Sequence, residues 1–189
     1  MDKGEKFANF MVGFAAAVEL DARAAKQGCF VECVCLTASI IDATLRMGLI
    51  LRHQLDTGTS DLLEELLHQG EADAIVSERE IYRRALSKGI VDQAVFGELE
   101  ALYQERNRVV HRYIISGIAT KDVLEIAMRQ DVLKHRVSDA VAVLEEEQIR
   151  LGTGITARSE RAATAQDVLD KATGKHGDAG LTKALRKGL

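Results

Sequence analysis

Apolar side chains recur along this chain at spacings of three and four, the period of one helical face. Phe7, Phe10, Met11, Phe14 and Val18 set the pattern early and predict a helix over about 3–26, with Gly28 as its stop. A second helix is predicted over about 29–54. It is apolar around most of its circumference, which places it in the middle of a bundle. Asp42 and Arg46 interrupt it four residues apart, close enough to pair with each other or to reach an opposite helix. Residues 56–60 read as a turn and 61–69 as a short amphipathic helix. Ser77-Glu78-Arg79-Glu80 is a capping-box pattern that opens a helix to about Lys88, closed by Gly89. Further helices are predicted over 92–116, closed by Gly117, and over 120–151, broken by Gly152-Thr153-Gly154.

The pattern therefore predicts an all-α, up-and-down helical bundle over 1–151. It is followed over 152–189 by one short, weakly packed helix and a flexible basic tail. Composition agrees. Among 189 residues there is no proline, hydrophobic residues make up 47% and aromatics 4%, so the core must be built from Leu, Ile, Val and Ala. From Gly152 onward seven Lys/Arg stand against four Asp/Glu, a charge of +3 that leaves −7 on the body of the −4 chain. No global basic field exists, so a nucleic acid would have to be met by a local patch.

Cys29, Cys33 and Cys35 crowd one predicted helix and read as reduced, buried thiols. Met1 is followed by Asp2-Lys3-Gly4-Glu5-Lys6 with no apolar run, and the most apolar stretch, 33–51, holds charges at its centre. A cytoplasmic protein with no membrane span is expected. His53, His68, His111 and His135 fall on different predicted helices without ligand spacing, so neither a metal nor another cofactor is expected.

The chemistry concentrates in Arg106-Asn107-Arg108-Val109-Val110-His111-Arg112-Tyr113. At about 100° per residue, Leu102, Tyr103, Val110 and Tyr113 fall on one apolar stripe with Leu99. Arg106 lies near the middle of that stripe, where a guanidinium must find a carboxylate, a partner chain or an anion. Asn107 and His111 stand side by side on one flank. Taken alone, an Arg and a His at this spacing read as a structural ion pair, with Asp42 or a neighbouring Glu, and a surface imidazole.

The fuller string Arg106-Asn107-x3-His111-x-Tyr113 resembles the R-x4-6-H signature of the HEPN superfamily, in the R-N-x3-H-x-Y form found among its prokaryotic toxins. The resemblance covers the motif helix and the general architecture of 29–151. It implies a HEPN-type bundle and a metal-independent endoribonuclease, acting as a toxin or defence effector. Arg106 would hold the scissile phosphate, His111 would move a proton, and Asn107 would orient the imidazole or donate to phosphate. It further implies a homodimer with two motif helices meeting in a shared cleft. An antitoxin or a nucleotidyltransferase would serve as controlling partner, with Tyr113 as the modified residue. An interface or core role for Tyr113 is the simpler reading. Arg108 and Arg112 could follow an RNA backbone, as could Arg79, Arg83 and Lys88, although for that second group a solvated helix face is favoured. The alternative is a catalytically silent HEPN-like module that binds nucleotide or RNA, or only assembles a complex.

Overall fold

The computed structural model describes residues 1–67, 75–157 and 165–177. Its described residues form seven helices: α1 (Lys3–Gln27), α2 (Phe30–Thr57), α3 (Glu78–Ser87), α4 (Gln93–Arg112), α5 (Thr120–Leu151), α6 (Gly154–Ala157) and α7 (Ala165–His176). No strand occurs among them, and the all-α class stands. Among the described residues between α2 and α3 a single 3-10 turn, Glu64–Leu66, is formed where a longer amphipathic helix is predicted, and residues 68 and 69 of that prediction lie outside the described residues.

The helices start and stop for local reasons. Asp2 Oδ1 accepts from the Glu5 amide at 2.8 Å while Glu5 Oε2 accepts from the Asp2 amide at 3.0 Å, a reciprocal cap on α1. Ser77 caps α3 by accepting from the Glu80 amide at 3.3 Å. The Glu80 carboxylate does not complete a box. It ion-pairs forward with Arg83 at 2.6 Å and Arg84 at 3.0 Å. Gly28 and Gly152 end α1 and α5 with φ of 73° and 64°, left-handed values that other residues adopt only with strain. Helix α4 stops at Arg112, four residues short of the predicted end. The Ile115 and Ser116 amides turn back onto the Arg112 carbonyl. Ile114 and Ile115, at 95% and 82% exposure, find nothing to pack against, and β-branched residues without packing give a helix little reason to continue.

Helix α2 is the central element, packed on α1, α3, α4 and α5. Among the described residues it is the helix long and apolar enough to cross a membrane. Yet 67% of that apolar stretch is buried inside the fold. Gly48 sets its approach to α5: a methyl there would lie 2.8 Å from Val141 Cγ2 and 3.2 Å from Ile90 Cγ2.

Two apolar clusters form among the described residues. The larger runs from Ile41, Leu45 and Leu49 through Ile81, Leu99 and Leu102 to Leu133 and Leu144. The smaller holds Val34, Val109, Val123 and Ile126.

The division expected at Gly152 is not a packing boundary. Gln54 and Gln148 are both fully buried, and Gln148 Nε2 donates to Gln54 Oε1 at 2.9 Å and to the Leu51 carbonyl at 3.2 Å. The remaining acceptor capacity goes to the tail. The Ile155 amide donates to Gln54 Oε1 at 3.1 Å and the Thr156 amide to Gln148 Oε1 at 3.2 Å. Ile155 packs on the larger cluster, and α7 lies against α1 with Ala172 buried. Two buried amides thus staple α6 to the bundle, and the C-terminal helix is packed rather than loosely appended. The basic tail over 178–189 lies outside the described residues.

Candidate functional site

Helix α4 turns Val95, Leu99, Leu102 and Val109 inward, at steps of four, three and seven. Arg106 completes that row, seven residues from Leu99 and three from Val109. It therefore lies where the larger cluster, ending at Leu102, gives way to the smaller one beginning at Val109. The stripe expected to face a second subunit is divided. Leu99 and Leu102 pack within the chain, Val109 takes the buried position in place of Val110, and Val110 and Tyr113 are turned outward at 43% and 39% exposure.

The guanidinium at the seam is met by α3. Arg106 Nη2 donates to Glu78 Oε2 at 2.5 Å, and the Tyr103 ring centroid lies 5.1 Å from the guanidinium carbon. Glu78 is held from its other side, because the buried Tyr82 hydroxyl donates to Oε1. Asp42 and Arg46 on α2 complete the cluster. Arg46 Nε donates to Asp42 Oδ2 at 2.6 Å and its Nη2 to the Val76 carbonyl at 2.8 Å, tying α2 to the residues that lead into α3. Two polar atoms here are buried without a hydrogen-bond partner among the described residues, Arg106 Nε and Asp42 Oδ1.

Burial pushes the Asp42 carboxyl up from its ordinary range, and the charges of Arg46 and Arg106 only partly offset it. Burial likewise raises the Tyr82 hydroxyl, with the Glu78 carboxylate adding to the shift, so Tyr82 is a fixed donor. The Cys35 thiol is raised by burial and eased by Arg106. Three helices therefore bring two arginines, two carboxylates and two tyrosines into one partly buried cluster.

The rest of the motif lies in different surroundings. Asn107 is half-buried, while Arg108, His111 and Arg112 are exposed, and none of these four side chains makes a hydrogen bond or ion pair among the described residues. The Tyr113 hydroxyl is 3.5 Å from Thr120 Oγ1, beside a groove of about 450 Å³ lined by Phe30, Val31 and Val123. Ile114 and Ile115 project beyond it.

The second basic group is spoken for. Arg79 makes a forked contact with Glu100 (2.6 Å at its shortest), Arg83 pairs with Glu80, and Lys88 pairs with Asp56 at 3.2 Å. Arg79 also lies 5.8 Å from the Tyr103 ring. Among the described residues no group of three or more His, Cys, Asp or Glu is arranged to hold a metal ion.

Sequence reasoning missed Glu78, Tyr82 and Tyr103 as the environment of Arg106. Glu78 was visible as an acid in the first turn of a predicted helix, but nothing in the string says which cation it meets. No protein-family model matches the chain, and no curated protein or solved structure matches it either.

Proposed function

We propose that this protein is a metal-independent endoribonuclease of the HEPN type, a toxin or defence effector that works as a homodimer. The observation that supports it best is where unpaired cationic charge lies. Among the described residues, every Lys and Arg between Arg46 and Arg150 has an ion-pair partner except Arg108 and Arg112. Those two flank His111 on the last turns of α4. Cations left open beside an open imidazole, on a stretch whose other cations are ion-paired, suit a polyanion supplied from outside.

In this reading the phosphodiester backbone lies along Arg108 and Arg112. The ribose 2′-hydroxyl attacks the adjacent phosphorus, the bond to the 5′-oxygen breaks, and the products are a 2′,3′-cyclic phosphate and a 5′-hydroxyl. His111 takes the proton from the 2′-hydroxyl or supplies one to the leaving oxygen. Arg106 holds charge building on the phosphoryl oxygens, and Asn107, one turn from His111, orients the imidazole. The outward apolar residues at the end of α4 and in the turn after it (Val110, Tyr113, Ile114 and Ile115) form the surface a second subunit would cover.

The test uses the full chain with single-stranded RNA, reading 3′ ends for cyclic phosphate. His111→Ala should lower the rate by about 10²- to 10⁴-fold with the fold intact, since the side chain is exposed. EDTA should leave the rate unchanged. Cleavage that survives His111→Ala, or that EDTA stops, refutes the mechanism. Light scattering should show a dimer at micromolar concentration, and a monomer there removes the shared cleft.

One observation favours a second reading. Arg106 is already neutralised by Glu78, as it would be in a silent module that binds RNA or nucleotide without cutting it. Binding without cleavage by the wild type would select that reading.

A further inference from the structure

Arg106 and its neighbours Arg108 and Arg112 stand in opposite states. The latter two are open, whereas Arg106 is occupied. Its Nη2 is 2.5 Å from Glu78 Oε2, with side-chain exposures of only 23% and 17% for the pair. The carboxylate is secured at both oxygens, by Arg106 on one and the Tyr82 hydroxyl on the other. Its place in the first turn of α3 also favours a negative charge there. A guanidinium fork accepts a carboxylate and a phosphate through the same N–H groups in the same plane. Glu78 therefore stands where a phosphodiester oxygen would stand to take the Nη2 edge of Arg106, and its charge offsets the guanidinium that a phosphate would need.

We infer that Glu78 is an internal competitor of the phosphodiester for Arg106, an autoinhibitory contact that RNA must displace before the site is complete. The inference rests on the proposed RNA-binding site on α4. Arg108 and Arg112 make the first contact because they have no partner among the described residues to give up. Arg106 engages only when the Glu78 carboxylate leaves, and Tyr82 sets how firmly it is retained. The arrangement costs substrate affinity, and it keeps the site closed to anions that cannot also hold Arg108 and Arg112.

The experiment measures binding of a 2′-O-methyl oligonucleotide to the full chain by fluorescence anisotropy. This ligand keeps the phosphates and lacks the attacking hydroxyl, so affinity is read without turnover. Glu78→Gln should tighten binding by about tenfold, the scale of one hydrogen bond between charged groups. Tyr82→Phe changes no charge and should tighten binding by a smaller factor in the same direction. Neither gain should survive in an Arg106→Gln background, whereas a general electrostatic effect of removing an acid would.

Folded variants that bind no more tightly, or a gain that persists without Arg106, overturn the inference. If Glu78→Gln does not fold, Tyr82→Phe decides the matter. Unmodified RNA separates this inference from the ribonuclease reading. A binding gain with no cleavage by any chain refutes the nuclease and leaves the competitor standing. Cleavage by the wild type with no binding gain in either variant refutes the competitor alone.

Discussion

Gln54→Leu is the most direct probe of how the C-terminal segment is held. Gln54 is fully buried, and its Oε1 accepts from Gln148 Nε2 at 2.9 Å and from the Ile155 amide at 3.1 Å, while its Nε2 donates to the Asp61 carbonyl at 3.0 Å. Leucine has similar bulk and no polar atom, so the change removes hydrogen bonds without opening a large cavity. Three groups lose a partner, unequally. Gln148 Nε2 keeps the Leu51 carbonyl, and the Asp61 carbonyl belongs to an exposed residue that water can reach. The Ile155 amide, part-buried and with its partner lost, is the costly one. A buried unsatisfied donor costs about 1–3 kcal/mol and each lesser loss about 0.5–1.5 kcal/mol. Burying leucine in place of an amide returns roughly 1 kcal/mol, so the net loss should be about 1–5 kcal/mol. Undocking of 154–157 sets its ceiling, because the freed amide can then rehydrate. At about 2–4 °C per kcal/mol for a chain of this size, the melting temperature should fall by roughly 2–20 °C. Hydrogen exchange should quicken at Ile155 and Thr156, and a chain ending at Leu151 should feel the substitution much less. A fall under about 2 °C, or an equal fall in the shortened chain, would refute the staple.

Two further outcomes follow from packing and charge. Gly48→Ala gains about 1 kcal/mol of helix propensity, but its methyl would meet Val141 Cγ2 at 2.8 Å, and overpacking costs about 1–3 kcal/mol. Denaturant melts should show a net loss that Val141→Ala partly restores, and a stabilised single variant would contradict the close α2–α5 approach. Asp42, whose carboxyl burial holds above the usual range, binds its proton more tightly folded than unfolded. Its contribution to stability is therefore greatest at acid pH and is lost as pH rises through its folded value. Replacing it with Asn should flatten that part of the stability profile above about pH 4, and an unchanged slope in urea melts would count against the burial argument.

Much of the architecture was legible in the string because helices are local. Apolar spacing, Asp or Ser caps and glycine stops act within a few residues, so α1, α2, α4 and α5 fall close to where periodicity puts them. Arg106 was legible as an anomaly for the same reason: a charge on an apolar row is visible in the row itself. Its resolution was not. Which acid meets that guanidinium depends on α3 crossing α4, and Glu78 lies 28 residues away. The choice of Val109 over Val110 as the buried residue likewise depends on where Val34, Val123 and Ile126 converge. The tail misled for a related reason. Glutamine reads as a surface residue, and only the meeting of α2 with α5 turned Gln54 and Gln148, 94 positions apart, into a buried pair that binds α6. Local rules determine which residues are helical. The pairing of buried polar groups is decided by distances between helices, which exist only once the chain has folded.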